Sequence, residues 1–178
     1  MQSDRYHTIS NGIEVSACEV DEVLHERAKR HFGWCGRLVV GHVGRFVSQK
    51  NDRFLLKTFS VFHKRHPEAW LVLVGAGPLE KEVRRQVDEL GLVDDVVFFG
   101  LTDDVPAVLS SFDLFVFPSV YEGLGVAIIE AQAAGIPALV SDAVPSQAFF
   151  DSLLLCVAAY GRSREVGRCH GKGSFGRR

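Results

Sequence analysis

Two glutamates eight positions apart, Glu122 and Glu130, flank the turn Gly123-Leu124-Gly125 in the stretch that runs from Pro118 to Gly135. The turn follows the apolar run Asp113-Leu114-Phe115-Val116-Phe117 and opens a helix. Glycine at 123 and 125 allows a tight turn and lets a ligand approach the bare amides. The helix start aims its free N–H groups and its positive dipole end at the same spot. Such a place suits an anion or a group of hydroxyls, and each carboxylate could accept from vicinal hydroxyls of a sugar or ribose. The plainer alternative is a loop surface charge at 122 and an ordinary helix acid at 130. A second charged pair, Arg45 and Lys50, lies in the loop Gly44-Arg45-Phe46-Val47-Ser48-Gln49-Lys50-Asn51. On residue type alone these two cations are either solvated or held near a strand end for an anion.

The elements that must position these residues follow from apolar periodicity. Leu38 to Val43 reads as a buried strand, and the loop with Arg45 and Lys50 leaves its carboxyl end, the edge where open α/β sheets bind ligands. Leu55, Phe59 and Phe62 stand at i, i+4 and i+7 and predict a helix that starts at Asn51-Asp52 and is stopped by Pro67. Trp70 to Val74 is a near-continuous apolar run, as expected of a parallel strand covered on both faces. Gly75-Ala76-Gly77-Pro78-Leu79-Glu80 is then a tight turn at the ligand edge. It lacks the third glycine of a dinucleotide fingerprint, because Glu80 stands there, and no ribose acid follows in a strand-end context, which disfavours an NAD-linked dehydrogenase.

Val83, Val87 and Leu90 form the next helical stripe, with Gly91 as C-cap. Val96 to Gly100 is a third strand. Leu101 to Asp104 caps a helix with Val105, Val108, Leu109 and Phe112 on one stripe, and Pro106 is tolerated in its first turn. Asp113 to Phe117 is the fourth strand, the helix after the glycine turn ends at Gly135-Ile136-Pro137, and Ala138 to Ser141 is a short fifth strand. Upstream, Asp21 to Arg30 opens with acids and closes with bases, as a solvated surface helix does. The fold class is therefore α/β, a doubly wound and mostly parallel Rossmann-like sheet of five alternating units.

Length and charge narrow the classes. With 178 residues the chain holds one ordinary domain and is too short for two Rossmann-like ones. Twenty basic and 22 acidic residues leave a net charge of −2, so no global field attracts nucleic acid and any anion site is local. No run is long and apolar enough for a membrane span and the start is not a signal peptide, so a cytoplasmic protein is the default. Cys18, Cys35, Cys156 and Cys169 have no C-x-x-C spacing, and Cys156, Cys169 and His170 lack a fourth zinc ligand nearby, so reduced thiols are expected and no metal.

Several motifs occur together in an order that resembles the retaining nucleotide-sugar glycosyltransferases of group 1, the glycogen-synthase-like type with two Rossmann-like domains facing a cleft. They are Ile9-Ser10-Asn11-Gly12-Ile13, Gly44-Arg45 with Lys50, Val74-Gly75-Ala76-Gly77-Pro78, and Pro118-Ser119 with Glu122 and Glu130. The likeness covers Tyr6 to Ala148. It implies that the chain is the C-terminal, donor-binding half, with the hinge from the acceptor domain at Ile9 to Ile13. It also implies a hexosyl transfer with retained configuration from a nucleotide diphosphate sugar. In that reading Arg45, Lys50 and Glu122 are the catalytic residues, with both cations on the donor diphosphate and Glu122 on the sugar. Gly44, Gly75, Gly77, Phe98, Leu101, Gly123, Leu124, Gly125 and Glu130 line the donor site, with backbone groups of Phe98 to Leu101 offered to the base and Glu130 on the ribose.

The donor itself is then the substrate and no cofactor or metal is implied. The other partner is an acceptor domain or separate subunit, with peripheral contact at the inner membrane face through the acceptor. The expected domains are a hinge and connecting helix over 1–36, the nucleotide-sugar domain over 37–148, and an atypical tail over 149–178. That tail is rich in Gly, Arg and Ser from Gly161 onward and reads as disordered: a truncated or frame-shifted continuation, or a genuine basic tail. A sixth strand is expected to be missing. Two alternatives remain open at this point: a non-catalytic nucleotide-sugar-binding module, and a protein like the sugar-nucleotide epimerases, which share the architecture.

Overall fold

The computed structural model describes residues 22–145 and 148, and the strand backbones of 154–157 and 167–168. Helices α1 (Glu22–Phe32), α2 (Asp52–His63), α3 (Glu80–Glu89), α4 (Val105–Leu109) and α5 (Val126–Ala133) alternate with strands β1 (Leu38–Val43), β2 (Ala69–Val74), β3 (Val96–Gly100), β4 (Leu114–Phe117) and β5 (Ala138–Ser141). These five strands are all parallel, as the alternation predicts. The sheet then continues through β6 (Leu154–Val157), parallel to β5, and a short β7 (Gly167–Arg168), antiparallel to β6. A sixth strand is therefore present, contrary to expectation. Its sequence, Leu154-Leu155-Cys156-Val157, is an apolar run of the kind that a parallel edge recruits. The hinge motif at Ile9 to Ile13 lies outside the described residues, as does the rest of the tail with the side chains of Cys156, Cys169 and His170.

The spatial order is β3-β2-β1-β4-β5-β6-β7. From β1 the chain first winds outward through β2 and β3, then returns to the other side of β1 with β4. The reversal leaves a crevice between the carboxyl ends of β1 and β4, the place where such sheets bind ligands.

Side chains alternate between two cores. Val39, Val72, Phe115, Phe117, Ala138 and Val140 pack with Val108, Leu109, Ile128 and Ala131 of α4 and α5. Val40, Leu71, Leu73 and Val96 pack with Leu55, Leu56 and Phe59 of α2 and with Val83 and Val87 of α3. Burial on both faces explains the unbroken apolar runs of the strands. The stripe read for the fourth helix is shorter than expected: α4 stops at Leu109, and Phe112 enters the core from the following turn. Asp104 caps α4 by accepting from the Ala107 N–H at 3.1 Å, as its sequence predicts.

Helix α1 differs from the solvated helix expected. Lys29 is buried and donates to both oxygens of Asp113, at 2.7 and 2.8 Å, and to the Arg37 carbonyl at 3.0 Å. Asp113 also accepts the Val39 N–H at 2.6 Å, and His25 bridges its carboxylate and the Ser110 carbonyl. One carboxylate at the amino edge thus fastens α1 to the central strands. A lysine in a charge-rich stretch gives no sign of this from sequence.

The helices end on left-handed glycines at Gly33, Gly91 and Gly135, each followed by a residue whose N–H returns to a carbonyl five positions back. Around Gly135, at φ 69°, a Cβ would meet nothing within 4 Å. Gly135→Ala isolates the conformational cost of about 1 kcal/mol. A lowering of Tm by roughly 2–4 °C in a thermal melt is the expected result.

Candidate functional site

The crevice between β1 and β4 is built by two loops, residues 44–51 after β1 and 118–125 after β4, and they are tied to each other. The Val120 N–H donates to the Gln49 carbonyl at 2.9 Å, Gln49 Nε2 to the Tyr121 carbonyl at 3.0 Å, and Asn51 Nδ2 to the Pro118 carbonyl at 3.2 Å. Asn51 adopts φ 60°, a left-handed turn that asparagine tolerates, and this swings the chain from the loop into α2. Across the seam Lys50 Nζ donates to Glu122 Oε1 at 2.7 Å and lies 4.3 Å above the Phe117 ring. Two residues singled out 72 positions apart in sequence are thereby in contact. Side-chain exposure is 17% for Lys50 and 7% for Glu122, so the pair is shielded enough for its charges to matter.

Beside it lies an open cavity of about 500 Å³, lined by Gly44, Arg45, Gly75, Gly77, Leu101 and Thr102 among others. Gly44 joins the two parts, because a Cβ there would sit 3.3 Å from the Lys50 side chain. Arg45 is exposed at the rim and makes no ion pair among the described residues. The glycines at 75 and 77 have a reason of their own: a Cβ on Gly75 would strike the Gly44 carbonyl, and one on Gly77 the Phe46 backbone. The two loops approach backbone to backbone, with Phe46 N–H to Ala76 carbonyl at 3.3 Å and Leu79 N–H to Phe46 carbonyl at 3.1 Å. Phe98 is not brought to the cavity. It packs under the Arg84 guanidinium, 3.9 Å away, and near Phe46 in the core beneath α3, because alternation along β3 turns it to that face. Leu101, by contrast, is 80% exposed on the cavity wall.

In the glycine turn only Gly125 has a positive φ, 71°, and it is the N-cap of α5. Gly123 is exposed, and a Cβ there would meet nothing, so neither backbone nor packing requires its glycine. Leu124 is half-buried between them. Glu130 is the fifth residue of α5, nearer the helix start than two full turns, and half-buried. Burial raises its carboxyl pKa above the ordinary range, and no side-chain partner meets it among the described residues.

Sequence reasoning missed a polar couple under the Lys50 loop. His42 in β1 is fully buried and Asp52, first residue of α2, is 4% exposed, with His42 Nε2 3.6 Å from Asp52 Oδ1. A histidine in an otherwise apolar strand, next to a loop bearing two cations, was the available signal.

The profile of the glycosyl transferases group 1 family matches residues 25–148, which hold both loops and every crevice residue described above. The chain belongs to the group 1 glycosyltransferases. Among curated relatives, the putative glycosyltransferase EpsF of Bacillus subtilis is 39% identical over 146 residues, 81% of this chain and 38% of that protein. The 2-deoxystreptamine glucosyltransferase of Streptomyces kanamyceticus is 32% identical over 133 residues, 72% of this chain and 34% of that protein. The chain thus spans little more than a third of the length of these two relatives. In fold it is similar to Anabaena HepE, solved with UDP and glucose, at TM-score 0.74 and 23% identity, over 84% of this chain and 42% of that one. As a group 1 chain it has the α/β Rossmann-like fold of the two-domain glycosyltransferases. Among its described residues no helix is long and apolar enough to cross a membrane.

Proposed function

We propose that the chain is the donor-binding half of a retaining glycosyltransferase, which holds a nucleoside diphosphate sugar while its hexosyl group passes to an acceptor. The observation that carries this reading is the Lys50–Glu122 pair at the β1/β4 crevice, beside the cavity walled by Gly44, Arg45 and Leu101. A lysine has three donors, so Lys50 can keep Glu122 on one and offer the others to a diphosphate. In the transfer the bond between the anomeric carbon and the diphosphate oxygen breaks, and negative charge grows on the leaving group. Lys50, Arg45 and the N–H groups opening α5 stabilise that charge without a metal. Glu122, set by Lys50, accepts from the donor sugar, and Glu130 accepts from the ribose hydroxyls. The base rests on the wall that includes Leu101 and Thr102.

The UDP and glucose of the HepE structure support the choice of ligand class. The acceptor and the face from which it attacks come from a second domain, on the same polypeptide or on a separate subunit, so the chain alone binds donor and transfers poorly. Calorimetric titration with UDP, GDP, ADP and their sugar conjugates tests this reading. Saturable binding that favours one nucleotide is expected. No binding by a chain whose thermal melt is cooperative would sink it.

A further inference from the structure

Below the Lys50 loop, geometry limits where the protons of the His42–Asp52 couple can sit. His42 Nδ1 lies 2.8 Å from the Val116 carbonyl, which can only accept, so Nδ1 carries a hydrogen. Nε2 then presents a lone pair toward Asp52 Oδ1, and both atoms are buried without another hydrogen-bond partner. Two acceptors facing each other 3.6 Å apart in a dry site repel, and one proton between them removes the repulsion and becomes a hydrogen bond once the pair closes by a few tenths of an ångström. The couple touches the site above it: a Cβ on Gly44 would lie 3.0 Å from His42 Nε2 and 3.3 Å from Lys50 Cδ and Cε.

We propose that His42 and Asp52 share one proton beneath the diphosphate subsite, and that the site binds donor in this protonated form, with Asp52 a positioning residue whose ionisation weakens the hold of Lys50. This deepens the donor-binding reading and rests on it. With the proton in place the floor is neutral and Lys50 has one carboxylate partner, Glu122. Once the proton leaves, a second buried carboxylate competes for Lys50 and repels an incoming diphosphate.

Burial pushes the His42 imidazole down to about 4 and the Asp52 carboxyl up to about 7, in the same sense. The charges facing the couple are Lys50 from its own loop and Glu122 from the loop after β4. Arg53 and Lys57 of α2, with Glu82 and Arg85 of α3, line the groove to which Asp52 also contributes. Through the range where an unfolded chain carries one proton on histidine and none on aspartate, burial only moves that proton across. The couple therefore leaves little mark on the pH dependence of stability at mildly acid pH, and its deprotonation near neutrality is what a ligand senses.

The test uses UDP-glucose, GDP-mannose and ADP-glucose, whose diphosphate esters do not titrate near neutrality, with the full chain and Asp52→Asn. Between pH 6.5 and 8.5 the affinity of the wild-type chain for the bound conjugate is expected to fall by at least ~5-fold, with proton uptake on binding near pH 8. Paired buffers of different ionisation enthalpy read that uptake. In Asp52→Asn the profile is expected to be flat and the uptake absent. The wild-type proton measurement stands by itself should the variant not fold. Binding by the wild-type chain with a flat profile and no uptake, or the same fall in both chains, overturns the inference and leaves the donor-binding reading intact. No binding of any conjugate at any pH overturns that reading and this inference with it.

Discussion

Lys50→Ala is expected to weaken nucleotide diphosphate binding by about 10- to 100-fold, because a charge-assisted hydrogen bond in a shielded site contributes about 1.5–3 kcal/mol. The cation is held in place before any ligand arrives. Glu122 Oε1 accepts from it at 2.7 Å and Phe117 lies under it, so little side-chain entropy remains to be lost on binding. Its removal also leaves Glu122, 7% exposed, without its counter-charge, and the melting temperature should drop alongside affinity. Arg45→Ala provides the contrast. That side chain is exposed at the cavity rim, where solvent and salt screen it, so its loss is expected to be smaller and to shrink further at high ionic strength. Calorimetry on the two variants at low and high salt separates a preorganised cation from a steering one.

Glu130→Gln is expected to separate binding from stability. Burial raises the Glu130 pKa, so the folded chain holds that proton more firmly than the unfolded chain. A raised carboxyl pKa gives stability that is full below the unfolded value, about 4.3, and is lost as pH rises through the folded value. Above the folded value the ionised carboxylate is therefore a cost to the free protein. The amide removes that cost, so Tm at pH 7 should hold or rise, and the advantage should vanish at acid pH. Ligand affinity should move the other way, falling by roughly 10- to 100-fold if the carboxylate accepts from ribose hydroxyls. A fall in both quantities would assign Glu130 a structural part instead.

The frame of the molecule was legible because both faces of the sheet are buried. Such strands write themselves as apolar runs, and Gly91, Gly135 and Asp104 mark helix ends through backbone needs that few residue types meet. The contact between Lys50 and Glu122 was not legible from spacing, since it depends on the reversal of strand order that sets β4 beside β1. Family resemblance placed both residues in one site, and the geometry supplies the physical reason. The core-facing side chain of Phe98 was not legible either, because the resemblance names backbone groups at a strand end and not the face to which a side chain turns. Lys29 and His42 escaped notice because Asp113 and Val116, which hold them, lie 84 and 74 positions along the chain, and Asp52 reads as an ordinary first-turn acid of α2. The sixth strand was hidden by the unusual composition that follows it.

The donor-binding proposal puts a nucleotide diphosphate where the loops after β1 and β4 meet. Two-dimensional NMR of the ¹⁵N-labelled chain titrated with UDP, GDP and ADP tests it most directly. Saturable shifts of the Gly44, Arg45, Gly123, Gly125 and Val126 amides are expected, with Leu101 following the base, and so is their loss in Lys50→Ala. Saturable shifts confined to the groove between α2 and α3, around Arg53, Glu82 and Arg85, would contradict it.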